Sequence, residues 1–199
     1  MDEEVEIKLV KPEDALELQR IYKHYVKNTA ITFECNVPTV EEFKERIENT
    51  LKKYPYLKAV YKGNIVGYTY VGPLITRAAC NWSVETSIYV DNNYKKLGIG
   101  SKLYDSLEKI LIKQNITNLY ACISYPKIED EYLTKNSVNY HEKQVYKFVG
   151  EFNNCAYKFN KWYNMIWMEK TIGSHKENMP DIKNFNDIKD EVKEEYGIY

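Results

Sequence analysis

The order of hydrophobic periodicities along the chain is the feature that most limits its fold. VEIKLV (5–10) alternates like a strand, PEDALELQRIYKHYV repeats at helical spacing, and a more charged helix is predicted from TVEEF to about Leu51. The later segments predict a hairpin with a tight turn at Gly63–Asn64, then a strand, a helix, a strand, a helix and two closing strands. These segments are YLKAVYKGNIVGYTYVG, WSVETSIYV, GIGSKLYDSLEKILIK, NLYACIS, NSVNYHEKQVY, KFVGEFNNCAYKF and KWYNMIWMEK. Strands at both ends with helices between them predict an α/β or α+β fold in which helices cover a sheet.

The length and charge of the chain exclude several classes of function. At 199 residues with a formal charge of −1, the sequence predicts one domain and offers no basic surface for a nucleic acid. The start, MDEEVEIKLV, is acidic where a signal peptide is basic, and no apolar run is long enough to span a membrane. We therefore expect a soluble, cytoplasmic protein with no membrane partner. Because residues 171–199 carry seven acids and four lysines, we expect a domain over 1–172 and an acidic, mobile or loosely docked extension over 173–199.

The four cysteines are scattered and predict neither a metal site nor a disulfide framework. No CxxC pair is present, and no histidine lies at metal-ligand spacing from any of them. We expect free, buried thiols at Cys35, Cys80, Cys122 and Cys155.

Two glycines one residue apart, in NNYKKLGIGSKLY (92–104), stand between a predicted strand and a predicted helix. A glycine-rich turn of this kind exposes backbone N–H groups beside the positive end of the helix dipole, which suits a phosphate or pyrophosphate. A purely steric role in a tight turn is the alternative. Because Ser101 follows Gly100 directly and residue 103 is Leu103, the segment has neither the lysine of a Walker loop nor the third glycine of a dinucleotide fold.

Several collinear motifs resemble the GCN5-related N-acetyltransferase (GNAT) superfamily. KKLGIG resembles its Gln/Arg-x-x-Gly-x-Gly/Ala signature, with Lys95 at the first position. HYVKNTAITFE, YLKAVYKGNIVGYTYVG, RAACNWSVETSIYV, LYACISYP, SVNYHEK and YKFNKWYNMIWMEK resemble, in order and spacing, the phosphinothricin N-acetyltransferase branch over about residues 5–170. The resemblance implies a mixed, mostly antiparallel sheet of about seven strands flanked by about four helices.

The resemblance also implies a reaction. Members of this branch transfer acetyl from acetyl-CoA, without an acyl-enzyme or a metal, to the α-amine of an amino acid such as phosphinothricin, methionine sulfoximine or methionine sulfone. A homodimer is implied as well. The residues implied in contacts with acetyl-CoA are Ile88, Tyr89, Val90, Lys95, Lys96, Leu97, Gly98, Ile99, Gly100, Ser101, Asn136 and Ser137.

Two residues are implied in catalysis. An amine that is protonated at neutral pH needs a base, and the resemblance places Glu85 in that role, with burial among Trp82 and Tyr89 expected to raise its pKa. A surface glutamate at a strand edge is the alternative. His141 occupies the position of the acid that protonates the leaving thiolate, and a buried histidine bonded to a backbone carbonyl is its alternative. Tyr140 and Tyr146 are fallback acids.

Recognition of the acceptor is implied at three positions. Arg77 is the expected clamp for a carboxylate because its guanidinium forms two parallel hydrogen bonds. Phe33 and Glu34 match a substrate-facing loop, although a core phenylalanine and a helix-flanking acid are the alternatives. The chain departs from the branch at Cys80, which replaces a tyrosine, and at Val145 and Ala156, which replace glycines and would be strained if their φ angles were positive.

Other functions remain open from the sequence. Acetylation of a polyamine or a protein N-terminus is one alternative, and a non-catalytic acyl-CoA-binding module is another.

Overall fold

The computed structural model describes residues 4–95 and 97–199, and these residues form seven strands and five α-helices. The strands are β1 (Glu6–Leu9), β2 (Tyr56–Tyr61), β3 (Asn64–Pro73), β4 (Ser83–Val90), β5 (Asn118–Tyr125), β6 (Lys147–Lys158) and β7 (Lys161–Thr171). The helices are α1 (Ala15–Asn28), α2 (Val40–Leu51), α3 (Ile99–Lys113), α4 (Asn136–Lys143) and α5 (Phe185–Tyr196). The strands and the first four helices lie where the hydrophobic periodicity predicted them.

One sheet contains all seven strands, in the order β1-β2-β3-β4-β5-β7-β6. Every neighbouring pair is antiparallel except β4 and β5, which are parallel. That parallel pairing covers only Ser83–Glu85 against Asn118–Tyr120, although β4 continues to Val90. The two central strands therefore separate after Glu85, and we call the resulting opening the splay.

Helices cover the two faces of the sheet and form separate apolar clusters with it. The apolar stripes of α1 and α2 pack with Tyr56 and Tyr68 of the sheet on one face. On the other face α3 and α5 bury Leu103, Leu107 and Val192 in the main core. Within the described residues, no helix has both the length and the apolar character needed to cross a membrane.

The C-terminal segment corrects one prediction. Residues 185–198 form the amphipathic helix α5 and a short end whose apolar side chains are part of the main core, so the expectation of a mobile or loosely docked tail is wrong. The amide of the buried Gln114 side chain donates to the carbonyls of Lys53 and Lys183, which ties the segment to the end of α3. The Trp82 indole N–H donates to the Pro180 carbonyl. The acid-rich composition of 173–199 concealed a helical stripe of Phe185, Ile188 and Val192.

Two smaller predictions are also corrected, and the condition for strain at Ala156 is not met. The hairpin between β2 and β3 turns at Lys62 and Gly63, with φ of 53° and 77°, and Asn64 already belongs to β3. The four cysteines are not fully buried as expected. Cys35, in a loop, and Cys155, on the edge strand β6, are exposed. Cys80, in the β3–β4 loop, and Cys122, beside the splay, are only partly buried. Ala156 has no positive φ, and Asn154 (φ 48°) takes the left-handed conformation in that strand instead.

Candidate active site

Beyond Glu85, the edge of β4 that faces β5 has no strand partner, whereas the other edge stays paired with β3. The Val90 carbonyl accepts a hydrogen bond from the Tyr25 hydroxyl, so the Val90 peptide group faces away from β3. Because peptide orientation alternates along an antiparallel pair, Ile88 faces the same open side. β5 pairs with β4 no further than Glu85, and Tyr89 points its ring toward α1. The backbone of 88–90 therefore borders the splay on its β4 side.

A cavity of about 60 Å³ lies at the splay. Residues 86–89 of β4 and 121–124 of β5 form its two walls, and Tyr104, Ser137 and His141 close it on the α3 and α4 side. Ser137 therefore reaches the splay, whereas Asn136 is exposed at the start of α4.

The two glycines open α3 beside this cavity, and each has a steric reason. Gly98 is left-handed (φ 71°), and no side chain of the described chain caps the helix at this residue. A Cβ on Gly100 would lie 2.9 Å from the Tyr140 hydroxyl, closer than such atoms approach in proteins. Both glycines therefore have a structural reason, and the binding role stays a prediction, because no described side chain caps the first N–H groups of α3.

The other predicted residues of this loop have different environments. Ile99 is buried in the core, so only its backbone is available to a ligand, and the Ser101 hydroxyl accepts a hydrogen bond from Gln144. Leu97 is exposed, and the Lys95 ammonium lies 5.7 Å from the centroid of the Tyr25 ring. Lys96 lies outside the described residues.

Glu85 is the last residue of β4 that pairs with β5, and it lies on the sheet face that carries α1 and α2. Its carboxylate has no hydrogen bond or ion pair with any described residue, and the facing Gly72 of β3 leaves open space beside it. Burial raises the pKa of the Glu85 carboxyl above its ordinary value. Burial, with a smaller contribution from Glu85, also raises the pKa of the neighbouring Cys122 thiol to about 12. The site therefore holds one available carboxylate beside a thiol that stays protonated.

His141 is 4% exposed and has both ring nitrogens bonded. Its Nδ1 lies 2.8 Å from the Ser137 carbonyl, which can only accept, so Nδ1 carries the proton. Nε2 then accepts from the Tyr104 hydroxyl at 3.0 Å. Burial lowers the pKa of the imidazole, so it is neutral at neutral pH.

Tyr104 and Thr86 extend this arrangement and were not predicted. The Thr86 hydroxyl lies 3.3 Å from both the Tyr104 and the Tyr146 hydroxyls and donates to the Tyr120 carbonyl. His141 and Tyr104 are 37 residues apart, so no local pattern could have linked them. Of the two fallback acids, Tyr146 is part of this network. The Tyr140 hydroxyl is buried without a partner among the described residues.

The predicted acceptor residues are only partly brought together. Glu34 forms a bidentate ion pair with Arg46 of α2, with N···O distances of 2.7 and 3.4 Å. Phe33 packs with Ala30 and Leu133 in a small separate cluster. Arg77 is exposed in the β3–β4 loop, where it has no ion pair with a described residue and does not line the cavity at the splay. The sequence analysis did not predict a role for Arg46. The feature that could have indicated it is its position on α2, one helical turn from both Phe43 and Thr50.

Comparison with known proteins gives consistent matches. Residues 7–167 match the family model described as an acetyltransferase (GNAT) domain. A phosphinothricin N-acetyltransferase of Streptomyces viridochromogenes is 30% identical over 83% of this chain and 87% of its own length. The L-methionine sulfoximine/L-methionine sulfone acetyltransferase of Salmonella typhimurium is 22% identical over 85% of this chain and 95% of its own.

A solved structure has the same fold. The phosphinothricin acetyltransferase of Sinorhizobium meliloti, crystallised with AcCoA, has a TM-score of 0.80 at 21% identity, over 91% of this chain and 98% of its own.

Proposed function

The chain belongs to the GNAT acetyltransferase family, and from that premise we propose that it transfers the acetyl group of acetyl-CoA directly to the α-amine of a small amino acid. It is an N-acetyltransferase of the amino-acid type; the acceptors proposed are phosphinothricin, methionine sulfoximine and methionine sulfone. The observation that carries the proposal is the Glu85 carboxylate, which is partly buried, unpaired and placed where the splay begins.

Glu85 acts as the general base. An α-amine is mostly an ammonium ion at neutral pH and must lose a proton before it attacks a thioester. The raised pKa of Glu85 makes it a better proton acceptor than an exposed glutamate. Two protons leave the nitrogen in all: the first converts the ammonium ion into the amine and goes to solvent. The second passes to Glu85 as the new N–C bond forms, the C–S bond breaks and the sulfur leaves as a thiolate.

The α3 end and the β4 edge hold the acyl donor. Acetyl-CoA supplies the activated acetyl thioester. The N–H groups of 98–101 suit its pyrophosphate, and the peptide edge of Ile88 suits its amide-bearing arm and the developing oxyanion, whereas the Val90 peptide is already bonded to the Tyr25 hydroxyl. Ser137, at the cavity wall, and the exposed Lys95 and Asn136 are proposed as further contacts.

His141 is proposed to contribute less to catalysis than Glu85, and mainly through its position rather than as an acid. In its neutral form the only ring proton is bonded to the Ser137 carbonyl, so the residue gives a proton to sulfur only as imidazolium. Because burial lowers the pKa of His141, that form becomes rarer as the pH rises through neutrality. We therefore assign it orientation of Tyr104 as its main contribution.

A homodimer is proposed on the edge hairpin β6–β7. Phe148, Phe152, Tyr157 and Trp162 are each more than half exposed there, an apolar surface that a second copy would cover. Sedimentation of the Phe152→Asp variant tests this. We expect a dimer that becomes a monomer, and a wild-type chain that sediments as a monomer would overturn it.

The test of the proposed function is acetyl-CoA-dependent thiol release with methionine sulfoximine, methionine sulfone, phosphinothricin and a polyamine as acceptors. We expect release with the amino acids and its loss in Glu85→Gln, while Glu177→Gln, an exposed glutamate in the tail, serves as the matched control. Release with the polyamine alone would overturn the amino-acid acceptor. If none of the acceptors supports thiol release while acetyl-CoA still binds, the result would favour the non-catalytic acyl-CoA-binding module.

A further inference from the structure

A second cavity lies on the Glu85 face of the sheet, between that face and helices α1 and α2. Its volume is about 210 Å³, and four tyrosines, Phe43, Thr50 and Arg46 line it. We call it the tyrosine cavity.

Tyr68 lines the tyrosine cavity and carries a buried hydroxyl that has no partner among the described residues. The residue is 0% exposed, and its hydroxyl has no hydrogen bond with any described residue. Burial raises the pKa of Tyr68 well above its ordinary value, so the phenol keeps its proton and can donate. By contrast, the Tyr22 hydroxyl in the same wall lies 2.8 Å from the Thr32 hydroxyl and is satisfied. A buried hydroxyl without a partner is unfavourable, so a ligand oxygen at this point would satisfy it.

Arg46 adds further donors at the rim. Its guanidinium uses two of five N–H groups on Glu34, and the other three have no partner among the described residues. Because Glu34 neutralises the charge, the rim offers hydrogen-bond donors without a strong net field. Such donors above aromatic walls favour an oxygen-bearing group on a short apolar stem and disfavour an ammonium group.

The tyrosine cavity lies within reach of Glu85. Tyr70, one of its lining residues, is paired with Ser87, two residues along β4 from Glu85 and on the same face. Two residues along a strand span roughly 7 Å, about the distance from the α-amine of an amino acid to the end of a short side chain. Burial raises the pKa of Tyr70, so this phenol, in the strand register next to the base, keeps its proton.

We propose that the tyrosine cavity is the side-chain subsite of the acceptor, and that Tyr68 and Arg46 set its preference for a side chain ending in sulfone, sulfoximine or phosphinate oxygens. This rests on the proposed function, in which Glu85 fixes the position of the amine. Tyr68 donates to one end-group oxygen, Arg46 to another, and the rings of Tyr56 and Tyr70 contact the stem.

The test compares two acceptors of equal chain length, methionine sulfone and methionine, in wild type, Tyr68→Phe and Tyr54→Phe. Tyr54 is the matched control, because its hydroxyl is also buried and unpaired but belongs to the main core outside the tyrosine cavity. We expect Tyr68→Phe to lower the sulfone-to-methionine ratio of kcat/KM about tenfold, mainly through KM for the sulfone, without lowering the Tm. Tyr54→Phe should leave the ratio unchanged. Arg46→Lys, which keeps the charge but not the planar fork, should lower it as well.

A binding measurement separates failure of this inference from failure of the proposed function. Calorimetric titration of methionine sulfone is made with CoA present, on wild type and Tyr68→Phe. Turnover with an unchanged ratio in all variants would overturn the subsite and leave the N-acetyltransferase proposal intact. No turnover, but sulfone binding that weakens about tenfold in Tyr68→Phe, would overturn the reaction and support the subsite. Neither turnover nor weakened binding would overturn both.

Discussion

The two faces of the sheet beside the splay differ in how their buried polar groups are satisfied. On the α3 and α4 side, both nitrogens of His141 and the hydroxyls of Tyr104, Thr86 and Tyr146 bond to one another or to carbonyls, whereas the neighbouring Tyr140 hydroxyl of α4 has no partner among the described residues. On the α1 and α2 side, the Glu85 carboxylate and the Tyr68 hydroxyl have no such bond within the described residues. Satisfied networks rigidify a structure, and unpaired groups are available to a ligand. The first face is thus suited to a fixed wall for the acyl donor, and the second to acceptor binding and proton transfer.

The largest expected effect comes from removing the unpaired carboxylate. Glu85→Gln should lower kcat by about 10²- to 10⁴-fold, the usual contribution of a general base. In the wild type, kcat/KM should rise with pH through an apparent pKa above 4.5, because the carboxylate must be ionised, and the variant should lose this limb. The measurement is kcat/KM as a function of pH for both proteins. If the variant showed the same rise of kcat/KM with pH as the wild type, the base would be another group.

Glu85 also makes a prediction for stability whose sign follows from its raised pKa. The folded state holds the proton more tightly than the unfolded state, so ionised Glu85 opposes folding as the pH rises above about 4.5. Glu85→Gln should therefore have a higher Tm than wild type at pH 7 and the same Tm near pH 4. Equal Tm values at pH 7 would contradict the claim that burial opposes ionisation.

Local patterns predicted most of the fold, and the reason is that each element has its own period or signature. The strands, helices α1 to α4 and the glycine turn at 98–100 depend on residues close in sequence. The ion pair of Glu34 with Arg46 and the bond of His141 with Tyr104 join separate elements, so one sequence contains no signal for them. The helix α5 was missed because its acids dominate the composition, although its apolar residues are at helical spacing.

Helix α5 packs on the same face of the sheet as α3, and Val192→Ala measures how much this packing contributes to the free energy of unfolding. Val192 is fully buried in the main core, and its truncation should cost about 2 to 3 kcal/mol through lost burial and the cavity left behind. Leu16→Ala, on the exposed side of α1, is the control and should cost less than about 0.5 kcal/mol. Urea unfolding of both variants decides the point, and equal small losses would mean that the tail contributes little to the core.

A matched pair of tyrosines compares the two faces directly. Tyr104→Phe leaves the buried Nε2 of His141 without its donor and should cost about 1 to 3 kcal/mol of the free energy of unfolding. Tyr68→Phe removes a hydroxyl that has no partner and should cost nothing or be slightly stabilising. The same substitution thus has different effects on the two faces. Equal losses in urea unfolding would show that the contrast in hydrogen bonding has no energetic weight.

The smallest effect concerns a strained residue at the end of α4. Val145 has a φ of 68°, so the condition for strain at this glycine position of the branch is met. Its N–H donates to the Glu142 carbonyl, and the N–H of Tyr146 donates to the His141 carbonyl. This is the Schellman arrangement, which favours glycine at that position, and a β-branched side chain there is strained. Val145→Gly should raise the free energy of unfolding by about 1 kcal/mol, since the relief of strain exceeds the added flexibility of the unfolded chain. Lys143→Gly, two residues earlier in helical conformation, is the control and should lower it by about 1 kcal/mol. If both variants were destabilised equally in urea unfolding, the left-handed conformation of Val145 would carry no strain, and glycine would bring no gain in stability at this helix end.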